Sequence, residues 1–270
     1  MASPTRIQLA HLTVELSPSG TIQSVLGVGK SGTQRQLALT EQPGPPATFM
    51  VAYFADAAAF PPYGAVVGTS SVQLNGSSLV ASFKAPDGKA VRVTANLAVK
   101  GETAVLAMTG LSSASAVPVR QIDFLRIPVQ GLARCAYGLA GAYDDDFGVF
   151  AMQANLEMDV LALGAQTGLQ CGVNGTVLTA RVAATNAGGS WWNRSVVLWG
   201  GPGTQLSTAV QHAERQVGLP SPTFNGQWSK NSLEAKQGCL SAEHTIMILS
   251  CLFITVCNPV FRNLGCCGCC

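Results

Sequence analysis

The sequence contains unusually few charged residues. Asp, Glu, Lys and Arg make up 11% of the chain, whereas about 25% is typical of soluble domains. The formal net charge is +2, and Lys and Arg are not clustered anywhere along the chain. A surface that binds nucleic acid needs a concentrated basic patch. The composition therefore predicts that nucleic acid is not a partner.

Cysteine is nearly missing from the body of the chain. Only Cys135 and Cys171 precede residue 239, and the other seven of the nine cysteines lie from Cys239 to Cys270. A fold built on disulfides would spread its cysteines through the domain. We therefore interpret both body cysteines as small buried apolar residues, with a Cys135–Cys171 bridge as the alternative.

Several functional signatures are also missing. The N-terminal segment has no uninterrupted apolar run, so a secretory signal peptide is not expected, and a soluble intracellular protein is favoured over a membrane protein. No HExxH, GxSxG or paired CxxC zinc motif occurs, and the histidines (His11, His212 and His244) are far apart in sequence. We predict no cofactor and assign no catalytic acid or base.

What the chain has in abundance is short apolar segments with strand periodicity. Val91 to Val99 alternates apolar and polar residues, as in a half-buried antiparallel strand, and Asn75-Gly76 is a strong hairpin signal. Ile7 to Leu16 reads as one strand whose apolar phase slips between Leu9 and Leu12, which indicates a bulge. A dozen or more such segments, separated by turn signals, predict a mainly β chain. The expected fold is a large antiparallel β-sandwich over residues 1–200.

One helix is predicted, directly after this β region. Apolar residues recur with helical spacing from Leu206 to Val217, and Gly218 and Pro220 end the pattern. The Pro- and Gly-containing residues after it predict a stiff, extended connector. Residues 201–238 are thus expected to be a linker helix and connector. Residues 239–270 are a Cys-rich apolar tail, irregular or with a short helix, and not a folded domain.

Two glycine-containing segments invite comparison with phosphate-binding loops. Gly27 to Ser31 reads GVGKS, but a phosphate-binding loop also needs a glycine at position 24 and a following helix. Ser24 occupies that position, and no helix is predicted after Thr33. We interpret the segment as a hairpin loop. Gly200 to Gly203 is likewise interpreted as a turn from a strand into the helix.

The densest run of charge is Asp144, Asp145 and Asp146, preceded by Tyr143. Three readings are open. The run forms a solvated turn stabilised by the Asp side chains, it contacts sugar hydroxyls beside Tyr143, or it binds Ca²⁺ through carboxylate oxygens. The spacing is not that of an EF-hand.

Tryptophans gather where the β region meets the helix, at Trp191, Trp192, Trp199 and Trp228. Indole rings stack on the C–H faces of sugars, so Trp191 and Trp192 join Tyr143 and the three aspartates as candidate carbohydrate contacts. The alternative is that the tryptophans pack the helix and the connector onto the sheet.

Four segments in order carry a family resemblance: VELSPSGTIQSV, RQIDFLRIPV, AYDDDFGVFAMQANLEMDV and GLPSPTFNGQWSKNSLEAK. Residues 5–236 resemble the N-terminal region of multidomain glycoside-hydrolase-like proteins, in which a galactose-mutarotase-like sandwich precedes a (β/α)₈ barrel. The resemblance implies that catalytic carboxylates belong to the barrel. Only about 40 residues follow Trp228, and a barrel needs about 200. The chain is therefore expected to be truncated before the barrel, as a non-catalytic carbohydrate-associated accessory domain that binds oligo- or polysaccharide.

The tail supports a second hypothesis. Thr245 to Cys257 is apolar but shorter than the ~20 residues of a membrane span. Acylation of Cys266, Cys267, Cys269 and Cys270 would make the chain a membrane-tethered interaction protein, with membrane contact through the tail alone. The spacing of these cysteines is too close for one tetrahedral zinc site. The alternative explanation of the tail is an altered reading frame or a retained intron.

Overall fold

The computed structural model describes residues 4–37, 48–55, 63–136, 140–154, 159–163, 175–183, 194–203, 206–216, 218, 223–224 and 227–228. Its elements in chain order are β1 (Thr5–Gln8), β2 (Leu12–Leu16), β3 (Ile22–Val28), β4 (Gln34–Gln36), β5 (Val51–Ala55), β6 (Tyr63–Gly68), β7 (Ser71–Asn75), β8 (Ser78–Lys84), β9 (Ala90–Lys100), β10 (Thr103–Ser113), β11 (Val119–Val129), β12 (Arg134–Ala136), β13 (Ala140–Tyr143), β14 (Phe147–Gln153), β15 (Asp159–Leu163), β16 (Thr176–Ala183), β17 (Ser195–Pro202), α1 (Leu206–Gln216), β18 (Thr223–Phe224) and β19 (Gln227–Trp228).

The first compact unit, residues 1–219, is built from three antiparallel sheets. The strand orders are β1-β2-β3-β4, β12-β13-β14-β17-β10-β9-β8-β7 and β15-β16-β11-β5-β6. The two smaller sheets adjoin, because the N–H of Gln130 donates to the carbonyl of Leu37 and Thr21 bridges to Thr48. Both face the eight-stranded sheet, which confirms the predicted β-sandwich.

A single apolar core lies between the sheets. Its members come from all three, for example Val14 from β2, Leu198 from β17 and Ile122 from β11, each no more than 3% exposed. Alternation along each strand directs one set of side chains into this core and the other outward. The outward faces are therefore where polar side chains are expected to gather.

The helix packs on the outward face of the eight-stranded sheet. Val210 and Ala213 of α1 contact a small second cluster formed by Phe150 and Met152 of β14 and Val197 and Trp199 of β17. The Trp199 ring stacks on Phe150, with centroids 5.1 Å apart. For Trp199 the packing interpretation is thus confirmed. The helix ends as predicted, with Gly218 at a φ of 73°.

Of two turn predictions made from the sequence, one is confirmed and the other is wrong. The hairpin at Asn75-Gly76 is confirmed, with Asn75 opposite Ser78 and Gly76 at a φ of 60°. The predicted bulge between Leu9 and Leu12 is wrong, because β1 and β2 are two strands that pair antiparallel around a tight turn. In that turn the N–H of Leu9 donates to the carbonyl of Leu12 at 2.8 Å. A tight turn and a bulge both interrupt the alternation of apolar and polar residues in the same way, so this alternation alone does not distinguish a turn from a bulge.

Cys135 corrects a second expectation. It is buried, but it is disulfide-bonded and not simply a small apolar residue. Its Sγ also lies 3.4 Å from the Thr176 hydroxyl. Every other cysteine of the chain lies outside the described residues.

The second compact unit comprises residues 220–270. Its described part is the antiparallel pair β18–β19, in which Thr223 is opposite Trp228 and Phe224 is opposite Gln227. The predicted connector is therefore not extended throughout, because the chain reverses between these strands.

Candidate functional site

The aspartate run begins at the end of β13, and its three carboxylates have different hydrogen-bond partners, although Arg35 Nη1 also lies 4.0 Å from Asp146 Oδ2. Asp144 accepts the backbone N–H groups of Asp146 and Phe147 at 2.9 and 2.8 Å, which closes the turn into β14. Its other oxygen accepts Arg35 Nη1 at 2.6 Å. Partial burial alone would raise the pKa of Asp144, but the N–H of Phe147, the Arg35 guanidinium and the N–H of Asp146 outweigh it and hold this pKa below its ordinary value.

Asp146 fastens the GVGKS segment to this turn. Its carboxylate accepts the N–H of Ser31 at 3.1 Å, and its carbonyl accepts the N–H of Lys30 at 3.1 Å. A Cβ at Gly29 would lie 2.0 Å from Asp146 Oδ2, so the contact requires glycine there. Gly27 and Val28 end β3, and Gly29 to Ser31 lie in the loop before the antiparallel strand β4, which confirms the hairpin-loop interpretation. Backbone donors that a phosphate would need are already bonded to Asp146.

Asp145 alone points into solvent, with a side chain 93% exposed. It forms an ion pair with Arg134 of β12, whose guanidinium lies 5.3 Å from the centroid of the Tyr143 ring. A guanidinium at that distance over an aromatic face is attracted to it. Tyr143 and Asp145, two of the residues predicted from the sequence, therefore both contact Arg134 at the surface. The carboxylates of Asp144 and Asp146 instead accept backbone N–H groups that hold the turns in place.

Tyr143 belongs to a line of residues that crosses the outward face of the eight-stranded sheet. Register places Arg134, Tyr143, Gly148 and Gly201 opposite one another on four successive strands. A Cβ at Gly201 would lie 2.6 Å from the Trp199 ring and 3.3 Å from the Glu102 carboxyl carbon. The two glycines therefore make room for the indole between Tyr143 and Glu102.

Glu102 continues this line toward the turn between β1 and β2. It accepts the indole N–H of Trp199 at 3.2 Å, and its other oxygen lies 3.5 Å from His11 Nε2. The His11 and Glu102 side chains are 32% and 30% exposed. We call Arg134, Tyr143, Trp199, Glu102 and His11 the outer row. Sequence reasoning did not connect His11 with Glu102, because they are brought together only by sheet packing.

A second cluster lies on the outward face of the five-stranded sheet. Asp123 of β11 is 0% exposed and accepts Arg181 Nε at 2.8 Å, the Tyr53 hydroxyl at 2.9 Å and Gln121 Nε2 at 3.2 Å. A β-bulge at Phe124 shifts the register of β11 against β16. Because Phe124 and Leu125 both belong to the core, the next residue after Asp123 on the outward face is Arg126, which is 2% exposed. We call these five residues the Asp123 cluster.

The electrostatics of this cluster follow from burial and from one negative charge. Burial, the Asp123 charge and the hydrogen bond to Asp123 raise the pKa of Tyr53 to about 12. Burial lowers the pKa of Arg126 despite the favourable field of Asp123. For Arg181 burial acts in the same direction, but the hydrogen bond and charge of Asp123 outweigh it and raise the pKa. Sequence reasoning missed this cluster, although charged residues within an otherwise apolar strand of a charge-poor chain were its signal.

The remaining predicted site residues lie outside the described residues: Trp191, Trp192, Cys266, Cys267, Cys269 and Cys270. Their proposed sugar contacts and acylation stay predictions. Among the described residues, no helix combines the length and apolarity needed to cross a bilayer. The same part of the chain holds no group of three or more His, Cys, Asp or Glu arranged to bind a metal ion. No protein-family model and no curated protein matches the chain.

Proposed function

We propose that this chain is a non-catalytic, carbohydrate-associated β-sandwich that serves as the accessory domain of a glycosidase-like protein. The observation that carries the proposal is the outer row, which places an aromatic ring, a guanidinium and carboxylates along one line on the surface of the sheet. The sequence resemblance to a galactose-mutarotase-like sandwich adds support, because such a domain requires a large antiparallel architecture.

The chemistry of the outer row suits a polyhydroxylated ligand. Sugars offer C–H faces that stack on aromatic rings and hydroxyls that both donate to carboxylates and accept from guanidinium groups. The face of the Tyr143 ring away from Arg134 is the stacking surface in this proposal, and Arg134 and Asp145 supply an exposed hydrogen-bond donor and acceptor beside it. Farther along the row, His11 and Glu102 supply a second donor and acceptor. β13 and β10 are three interstrand spacings apart, roughly 14 Å, so the row has the length for several sugar units.

Partial exposure of the polar groups also supports binding. Arg134 is 48% exposed and Asp145 93%, so both reach solvent without a conformational change. Trp199 is buried and hydrogen-bonded to Glu102, which holds that carboxylate in one orientation. A ligand would then meet a preorganised acceptor at one end of the row and an adaptable ion pair at the other.

The test is retention of the purified chain on a broad panel of immobilised polysaccharides. We expect retention on at least one neutral or acidic polysaccharide, and we expect Tyr143→Ala, Glu102→Gln and Arg134→Gln each to weaken it. The matched control is Arg92→Gln, which removes a guanidinium from an exposed position on β9. Circular dichroism melting confirms that each variant is folded.

Two results would contradict the proposal. One is no retention of the folded parent chain on any member of the panel. The other is retention that the row variants and the Arg92→Gln control weaken equally, since the sugar would then bind elsewhere or through charge alone.

A further inference from the structure

Among the three sheets of the first unit, the edge strand β6 differs from the other five edge strands. The three sheets of the first unit end at β1, β4, β7, β12, β15 and β6. Four of these edge strands carry a charged residue: Arg6, Arg35, Arg134 and Asp159. Charged side chains on an edge strand discourage pairing with another chain. Because β6 reads YGAVVG, it has neither charge nor proline, and its pairing with β5 is regular from Ala65 to Gly68, with a register shift only next to Tyr63.

The remaining uncharged edge, β7, is protected in another way. The N–H of Val72 donates to the carbonyl of Pro18 at 2.9 Å, and the carbonyl of Val72 accepts the Thr5 hydroxyl at 3.4 Å. Its edge groups are thus partly used within the molecule. For β6, the described strands provide a partner on one side alone, which is β5.

Burial shows that the core is incompletely closed at this edge. Ala65 and Val67 face the core but are only partly buried, whereas their neighbours Ala52 and Phe54 on β5 are 0% exposed. Val66 points outward and is 41% exposed, and only one other large apolar residue in the described chain, Val99, is as exposed. An additional strand beside β6 would cover all three residues.

We propose that β6 pairs with β6 of a second copy of this chain. A two-fold axis normal to the sheet and passing through Val66 pairs the strands antiparallel and keeps each side chain on its own face. Val66 then lies opposite Val66 of the second copy on the outward face. Ala65 lies opposite Val67 on the core side, so the uncharged strand is complementary to itself.

The resulting contact is small. A strand of six residues spans roughly 20 Å, and a single strand pair buries less than the ~1,600 Å² of a standard interface. The dimer is therefore reversible and depends on concentration. This inference is independent of the outer row, which lies on the eight-stranded sheet.

Sedimentation velocity over a concentration series, with the full chain measured both without and with reductant, tests the proposal, and the run without reductant keeps the Cys135 disulfide intact. The parent chain is expected to show a monomer–dimer equilibrium. Val66→Lys places two like charges opposite each other and removes an apolar pair, so it should weaken association about tenfold or more. Val99→Lys is the matched control, because Val99 is 46% exposed but lies on β9, between β8 and β10 in the sheet order, and it should leave the equilibrium unchanged.

Three outcomes would overturn the pairing of β6. The parent chain could sediment as a monomer at every concentration. The two lysine variants could weaken association equally, which would indicate nonspecific apolar contact. Association could disappear on reduction although thermal melting shows an intact fold, which would assign it to disulfides between chains. Thermal melting of both variants separates weakened association from loss of folding.

Discussion

Replacing Asp123 with Asn tests the interpretation of the Asp123 cluster most directly. The change keeps the size of the side chain but removes the one negative charge that Arg181, Tyr53 and Gln121 all contact. Breaking a buried ion pair by removing one partner typically costs about 3–5 kcal/mol, because the other charge stays buried. Arg181 retains 24% side-chain exposure, so water offsets part of the loss, and we expect about 3 kcal/mol.

Urea unfolding followed by circular dichroism measures this cost. With a slope of about 3 kcal/mol/M, Asp123→Asn should lower the unfolding midpoint by about 1 M without changing the slope. The matched control is Glu15→Gln, which removes the carboxylate of the exposed Arg6–Glu15 pair. An exposed pair contributes less than about 1 kcal/mol, so its midpoint should shift far less.

A double-variant cycle isolates the interaction itself. Arg181→Met leaves Asp123 without its cation and should also destabilise the fold. The double variant Asp123→Asn with Arg181→Met removes both charges and should cost less than the sum of the single changes. Additive effects, or a shift for Asp123→Asn no larger than that of Glu15→Gln, would refute the view that this pair is a buried, coupled one.

Two further predictions concern single groups. Tyr53 should ionise near pH 12 and not near its ordinary value of about 10. The folded state binds the Tyr53 proton more tightly than the unfolded state does. The contribution of this proton to the free energy of unfolding is therefore complete below about pH 10 and is lost as the pH rises toward 12. Ultraviolet titration of the phenolate, compared with Tyr53→Phe, checks this, and a transition near pH 10 that is present in the parent chain and lost in Tyr53→Phe would contradict it. Gly203→Ala should destabilise the fold by roughly 1–3 kcal/mol, since its Cβ would lie 2.7 Å from the Asp144 carbonyl oxygen and 2.8 Å from the Phe147 carbonyl carbon. Gly148→Ala, whose nearest contact is 3.4 Å, should cost less in the same melting assay, and equal losses would contradict the steric argument.

The sequence by itself determined the features that depend on neighbouring residues. The Asn75-Gly76 hairpin follows from two residues that tolerate positive φ. The alternation from Val91 to Leu97 follows from one face being buried, whereas Val99 at the end of the predicted pattern is exposed. The helix from Leu206 was predictable because its apolar spacing and its Gly218 end are local signals. Together these signals were sufficient for the mainly β class, since the class depends on element type and not on element order.

Tertiary structure alone decided which distant residues meet. Asp123 and Arg181 are brought together because β11 and β16 pair in a register shifted by a bulge, and the bulge has no unambiguous sequence signal. His11 lies next to Glu102 because the turn between β1 and β2 packs against the turn between β9 and β10, where the N–H of Ala10 donates to the carbonyl of Gly101. Periodicity did not distinguish the first of these turns from a bulge. The outer row depends in the same way on the register of four strands, and the apolar pattern of a strand fixes which face a side chain takes but not which strand lies beside it.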